Sequence, residues 1–277
     1  MDNQKIDHSQ QIQHKSTKYV LAIVMTATCG SILYGLGVTV ISPIEKFYFT
    51  HVYPKTNKDL LLGIINGFLA FGGMIGSATS SYIINSLGRK KGFFIGNVIA
   101  FIGSILCFCT NQYAIFAIGR LVFGYGIGIF SVLVPIYINE ISPKSISGMM
   151  GALHNLMLTI GMFLNFALGL FMPDFTVALE KLSTLQKNWW RVMLGFPILI
   201  ILLNTILLLT FFSFDTPTFL VSINKKEEAE AVLEKIYQPN DVSPIFLQIQ
   251  EKISNSKEIK LSELFSVKYS KSFGDFV

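Results

Sequence analysis

Six stretches of the chain, residues 19–41, 60–84, 92–108, 113–138, 149–172 and 193–214, are almost continuously apolar, and polar connections separate them. A helix needs roughly 20 apolar residues to cross the hydrocarbon core of a bilayer, with a working range of about 17 to 25. The run lengths match that requirement and exceed what a soluble strand or a short core helix uses. A soluble protein with six such runs would have too little polar surface to cover them. The pattern therefore predicts an all-α membrane protein of six transmembrane helices over residues 19–214. The first run is too long, and begins too far into the chain, for a cleaved signal peptide.

Polar patterning frames this domain. Residues 1–18, MDNQKIDHSQQIQHKSTK, have no hydrophobic periodicity and are expected to form a polar tail. Residues 215–277 are expected to be a short helical segment outside the membrane. Within it, NKKEEAEAVLEKIY offers Asn224 as an N-cap with Glu227 three residues later, and puts Ala229, Val232, Leu233 and Ile236 on one helical face. Glycines at four-residue spacing inside the runs (Gly63 and Gly67, Gly72 and Gly76, Gly92 and Gly96, Gly124 and Gly128) predict close helix packing. GYGIGIF at 124–130 lies inside a run, without the strand-turn-helix setting of a phosphate loop, and is read as part of that packing.

Composition sharpens the picture. Hydrophobic residues make up 51% of the 277 and charged residues only 14%, against about 25% charged in an ordinary soluble domain. The net charge of +5 does not indicate nucleic acid, because the basic residues are not interleaved with an aromatic platform. Cys29, Cys107 and Cys109 fall in apolar runs and read as buried free thiols; Cys-Phe-Cys lacks the spacing and partners of a zinc site, and no metal or cofactor is implied. No hydrolase, metalloprotease or nucleotide-loop motif is present, which argues against an enzyme. Lys and Arg concentrate in the first tail, the second and fourth connections and the last segment, while the alternate connections carry only Lys46, Lys55, Lys58, Lys181, Lys187 and Arg191. By the positive-inside rule both termini are expected to be cytoplasmic.

One carboxylate stands out. Glu140, in PIYINEISPKSISG at 135–148, ends an apolar run where a helix C-terminus already carries partial negative charge, so it calls for a facing cation. The neighbouring connection, NSLGRKKG, supplies Arg89, Lys90 and Lys91. Arg120 is the second conspicuous charge, inside the fourth run, where ionisable residues are costly and usually functional; backbone hydrogen bonding is the plainer alternative.

With the connections assigned to their sides, NSLGRKKG and PIYINEISPKSISG resemble the signature loops of sugar transporters of the major facilitator superfamily. ALHNL at 152–156, WWRVMLG at 189–195, FDTPTFL at 214–220 and KLSELF at 260–265 resemble further motifs of that family, in order. The resemblance covers the N-terminal six-helix half and the start of the central cytoplasmic segment. It implies hexose transport by alternating access, with a lipid bilayer, a monosaccharide and a second six-helix half as partners, and the plasma membrane as the expected location. In the family the acid matching Glu140 belongs to a cytoplasmic charge cluster that holds the halves together. Arg89, Lys90, Lys91 and Asp215 are thereby implied as gate residues, and Asn155 as a contact to sugar hydroxyls.

Departures from the family pattern modify that expectation. Asn85, Ser147 and Thr218 stand where the family carries charge, which predicts a weaker bias between inward and outward arrangements. In proton-coupled members the residue matching Arg120 faces an Asp on the first helix, whereas the run 19–41 has no acid. Facilitated diffusion is thus favoured over proton symport. His154 beside Asn155 reads as a packed histidine. The competing reading is a non-transporting, truncated or regulatory six-helix protein that packs on a full transporter.

Overall fold

The computed structural model describes residues 17–54, 57–211 and 215–255. Most of the polar tail, and the KLSELF string at 260–265, lie outside the described residues. Among the described residues six helices are long and apolar enough to cross a membrane: Lys18–Val52, Lys58–Leu87, Arg89–Cys109, Tyr113–Ile141, Ser147–Gly169 and Trp189–Thr210.

The first of these is longer than its apolar run because it is composite. α1 (Thr17–Thr39) is followed after one turn residue by α2 (Ile41–Phe47) and a π-helical turn, Tyr48–Val52. The polar string Ser42-Pro43-Ile44-Glu45-Lys46 ends the hydrophobic pattern without ending the helix, since Pro43 falls in the first turn of α2, where its missing N–H leaves no bond unmade. The next helices are α3 (Lys58–Leu87), α4 (Arg89–Cys109), α5 (Tyr113–Ile141), α6 (Ser147–Gly169), a single turn α7 (Thr184–Lys187) and α8 (Trp189–Phe211). Three short helices follow: α9 (Pro217–Ser222), α10 (Lys226–Ile236) and α11 (Pro239–Asn255).

α5 lies at the centre, with α1, α3 and α4 packed around it. Its contact with α3 runs backbone to backbone. A Cβ added at Gly72 or Gly76 would collide with the backbone of Leu121 or Tyr125, and one at Gly124 or Gly128 with the backbone of Leu69 or Gly73. These glycines therefore set the distance at which α3 and α5 can meet. Gly92 and Gly96 abut the side chains of Leu133 and Phe130. Gly63 and Gly67 meet nothing within 4 Å. Among the described residues that pair packs on no other helix: the spacing puts it on one face, and that face is exposed.

Buried amides tie the outer helices to α1. Asn97 of α4 donates to Asn204 of α8 at 2.8 Å, and Asn204 donates to the backbone carbonyl of Thr26 at 2.8 Å. Asn165 of α6 donates to the carbonyl of Leu36 and to Thr39. In an apolar surround such bonds fix which helix faces meet. Cys107 is buried and Cys29 partly so, but Cys109 is exposed on the outside of the bundle, contrary to the expected burial; all three are free thiols.

The helices after α8 cap one end of the bundle. Ala229, Val232, Leu233 and Ile236 of α10 are buried together with Val242, Ile245 and Phe246 of α11, so the amphipathic face meets protein. Asn224 is not the N-cap of α10. It adopts φ +60° one residue beyond the C-cap of α9, where its N–H bonds to the Val221 carbonyl and that of Lys225 to Leu220. This is the Schellman closure of α9, a site at which asparagine tolerates left-handed backbone.

Candidate functional site

The charge cluster assembles at the end of the bundle that α9–α11 cap. α3 and α4 are separated by a single residue, Gly88, with φ +91°, a conformation that favours glycine. The sharp turn presents Arg89 at the first position of α4, against the last turn of α5. Arg89 Nε donates to Glu140 Oε2 at 2.8 Å and its Nη2 donates to Oε1, a side-on bidentate pair. Both side chains are mostly buried, at 9% and 14% exposure. A cation at a helix start and an anion at a helix end each oppose the helix dipole. Here the two unfavourable placements neutralise one another.

Asp215 completes the arrangement from the connection after α8. Its carboxylate accepts from the backbone N–H groups of Arg89 at 3.0 Å, Lys90 at 3.3 Å and Thr216 at 2.9 Å. It thus acts as an anionic cap on α4, where the dipole favours negative charge. Any Cβ at position 88 would run into this carboxylate. Thr216, fully buried, donates its hydroxyl to Glu140 Oε2 at 2.6 Å. The Phe219 ring of α9 lies 5.3 Å from the Arg89 guanidinium.

Of the cations expected opposite Glu140, the structure brings Arg89 alone to its carboxylate among the described residues. Lys90 contributes a backbone N–H and keeps a half-exposed side chain, and the Lys91 side chain is exposed. Thr216, Phe219 and the turn glycine were missed by charge reading; the signal for the first two lies in FDTPTFL, directly after Asp215.

Arg120 is 2% exposed and donates to the Gly37 carbonyl of α1 at 2.8 Å. Its Nε and Nη2 have no hydrogen-bond partner among the described residues. Asn155 sits on the exposed side of α6, where its backbone carbonyl accepts from Thr159 and its amide has no hydrogen bond among the described residues. His154 is half-buried, and its Nδ1 lies 2.7 Å from the Ser31 hydroxyl of α1.

A cavity of about 600 Å³ opens between α1, α2, α3 and α5, and Asn155 does not line it. Its polar groups come from Tyr34, Ser42, Glu45, Asn66, Ser77 and Ser131. Glu45 belongs to the α2 continuation of the first spanning helix, so that helix does carry an acid, though beyond the run 19–41.

Comparison with known proteins places this geometry. The family model described as sugar (and other) transporter matches residues 22–273. Hexose transporter 1 of Plasmodium yoelii yoelii is 32% identical over 272 residues, covering 94% of this chain and 53% of that protein. Plastidic glucose transporter 4 of Arabidopsis thaliana is 30% identical, covering 93% of this chain and 45% of that protein. The solved structure of the proton:xylose symporter XylE bound to 6-bromo-6-deoxy-D-glucose is similar in fold, with a TM-score of 0.78 and 24% identity, over 90% of this chain and 56% of that one. A partially occluded inward-open form of XylE from E. coli gives a TM-score of 0.74 at 25% identity, over 85% of this chain and 59% of that one. The chain spans about half the length of the curated relatives it matches. Six spanning helices and transporter relatives make it a multi-pass membrane protein.

Proposed function

The chain belongs to the sugar transporter family of the major facilitator superfamily, matching its N-terminal six-helix half, and from that premise we propose that it moves a hexose across a membrane by alternating access. The observation that carries the reading is the joint fit of the whole span to the family and of the bundle to a sugar-bound transporter fold. The 600 Å³ cavity, with hydroxyl, amide and carboxylate groups on otherwise apolar walls, has the character of a site for a polyhydroxylated ligand. A second six-helix body closes the exposed side of α3 and α6, and in a reconstituted bilayer a second copy can take that place.

In this reading residues 1–18 and 215–277 are cytoplasmic, the six-helix domain occupies 19–214, and the plasma membrane is the site of action. The excess of Lys and Arg on that side supports the orientation. Glu140, Arg89 and Asp215 form the fixed part of a cytoplasmic gate, and the free ammonium groups of Lys90 and Lys91 reach the second half. Asn155, exposed on α6 and outside that cavity, offers its amide to the part of the sugar that extends beyond the cavity toward the second half, where hydroxyls both donate and accept.

Facilitated diffusion is the preferred mode, because Arg120 bonds to a backbone carbonyl and has no carboxylate partner among the described residues. Proton symport is the second reading, favoured by Glu45 on the cavity wall. Uptake of labelled glucose into proteoliposomes, with and without an imposed pH gradient, tests both. Saturable uptake independent of the gradient supports facilitated diffusion, and uptake that rises with the gradient supports symport through Glu45. Folded, inserted protein without uptake contradicts both and leaves the regulatory reading.

A further inference from the structure

We propose that Arg120 and Ser104 form a binding site for one small monatomic anion, chloride being the natural occupant, in the interior of the bundle. The site is distinct from the large cavity and independent of the sugar reading. Arg120 is buried on all sides, yet among the described residues its one hydrogen bond runs from Nη1 to the Gly37 carbonyl. Its Nε and Nη2 have no partner among the described residues. These two atoms form the edge of a guanidinium that accepts a bidentate ligand, and Arg89 uses the same two atoms to hold the Glu140 carboxylate. In Arg120 that edge is unengaged.

The edge belongs to a residue that lines a second, much smaller cavity of about 10 Å³, together with Ser104, Cys107, Phe123 and Leu194. Ser104, 3% exposed, also has a hydroxyl without a partner. Cys107 offers no compensation, because its thiol is turned to the Phe116 carbonyl. No carboxylate lines the cavity. A buried cation without a counter-charge is strongly unfavourable, and three donors facing so few acceptors suit a ligand that only accepts. A space of about 10 Å³ is at the lower limit for one water-sized particle, so a chloride ion enters with a small outward shift of the lining, while a carboxylate, a phosphate or a sugar is excluded.

The test is equilibrium binding of radiolabelled chloride to the purified, folded chain. The site predicts one saturable chloride per chain, displaced by bromide and not by gluconate or sulfate. Ser104→Ala removes one of three donors and weakens binding about tenfold, the effect of losing a hydrogen bond to a charged partner. Arg120→Lys keeps the charge but loses the two-donor edge, and abolishes binding; should that variant fail to fold, Ser104→Ala decides alone. Absence of saturable chloride in folded wild-type protein overturns the proposal and assigns the cavity to water or to void. Binding that is unchanged in Ser104→Ala overturns it too, by placing the ion elsewhere.

Discussion

Arg89 holds both carboxylate oxygens of Glu140, joining the first turn of α4 to the last turn of α5. Thr216 adds a third bond to the same carboxylate from the segment leading into α9. Removing the guanidinium leaves a largely buried carboxylate without its cation, a loss of about 3 kcal/mol or more. Arg89→Ala should therefore lower the thermal midpoint of the detergent-solubilised protein by several degrees. The Arg89→Ala, Glu140→Ala double variant should be less destabilised than the sum of the single changes, because neither charge is then left alone. Strict additivity in that double-mutant cycle would show that the pair is not coupled.

The α3–α5 contact makes a second, sharper prediction. Gly128→Ala drives a methyl group into the backbone at Gly73 and should cost about 1 to 3 kcal/mol, the range for overpacking a tight interface. Gly67→Ala, one of the glycines with open space around it, should be neutral or stabilise by up to about 1 kcal/mol through helix propensity. Thermal melts of the two variants side by side separate the cases. Equal destabilisation by both would mean that backbone approach is not what selects glycine at 128.

What the sequence made legible follows from the physics of each signal. The spanning helices were readable because bilayer thickness forces length and apolarity together, and the α10 face because Ala229, Val232, Leu233 and Ile236 repeat at helical spacing. Glu140 could be read as half of a pair, since its charge opposes the helix end that carries it. Spacing alone did not distinguish Gly63 and Gly67 from Gly124 and Gly128, because periodicity gives a common face and not what that face meets. Glu45 was missed because hydropathy ends at Ser42 while the hydrogen-bonded helix continues. Asn224 looked like a cap by residue type, and only its φ of +60° showed that it closes the preceding helix.

Ser147, half-exposed at the first position of α6, stands where the family carries an arginine. If the charge cluster biases the exchange between two arrangements, Ser147→Arg should strengthen one of them and slow net sugar exchange, with the thermal midpoint little changed. Uptake rates for the variant and the wild type, measured at equal protein density, check this. An unaltered rate would detach the cluster from gating.

Alternating access, proposed above for this bundle, requires that one sugar site open in turn to each side of the membrane. The most direct measurement is counterflow: proteoliposomes containing the purified chain are preloaded with unlabelled glucose, and entry of external labelled glucose is followed over time. A carrier that exposes one site alternately to the two sides must show faster, transient over-accumulation of label in the preloaded vesicles, with a saturable dependence on external glucose, and that is the result predicted here. Entry that is neither saturable nor stimulated by internal glucose, from protein shown to be folded and inserted, would contradict the account.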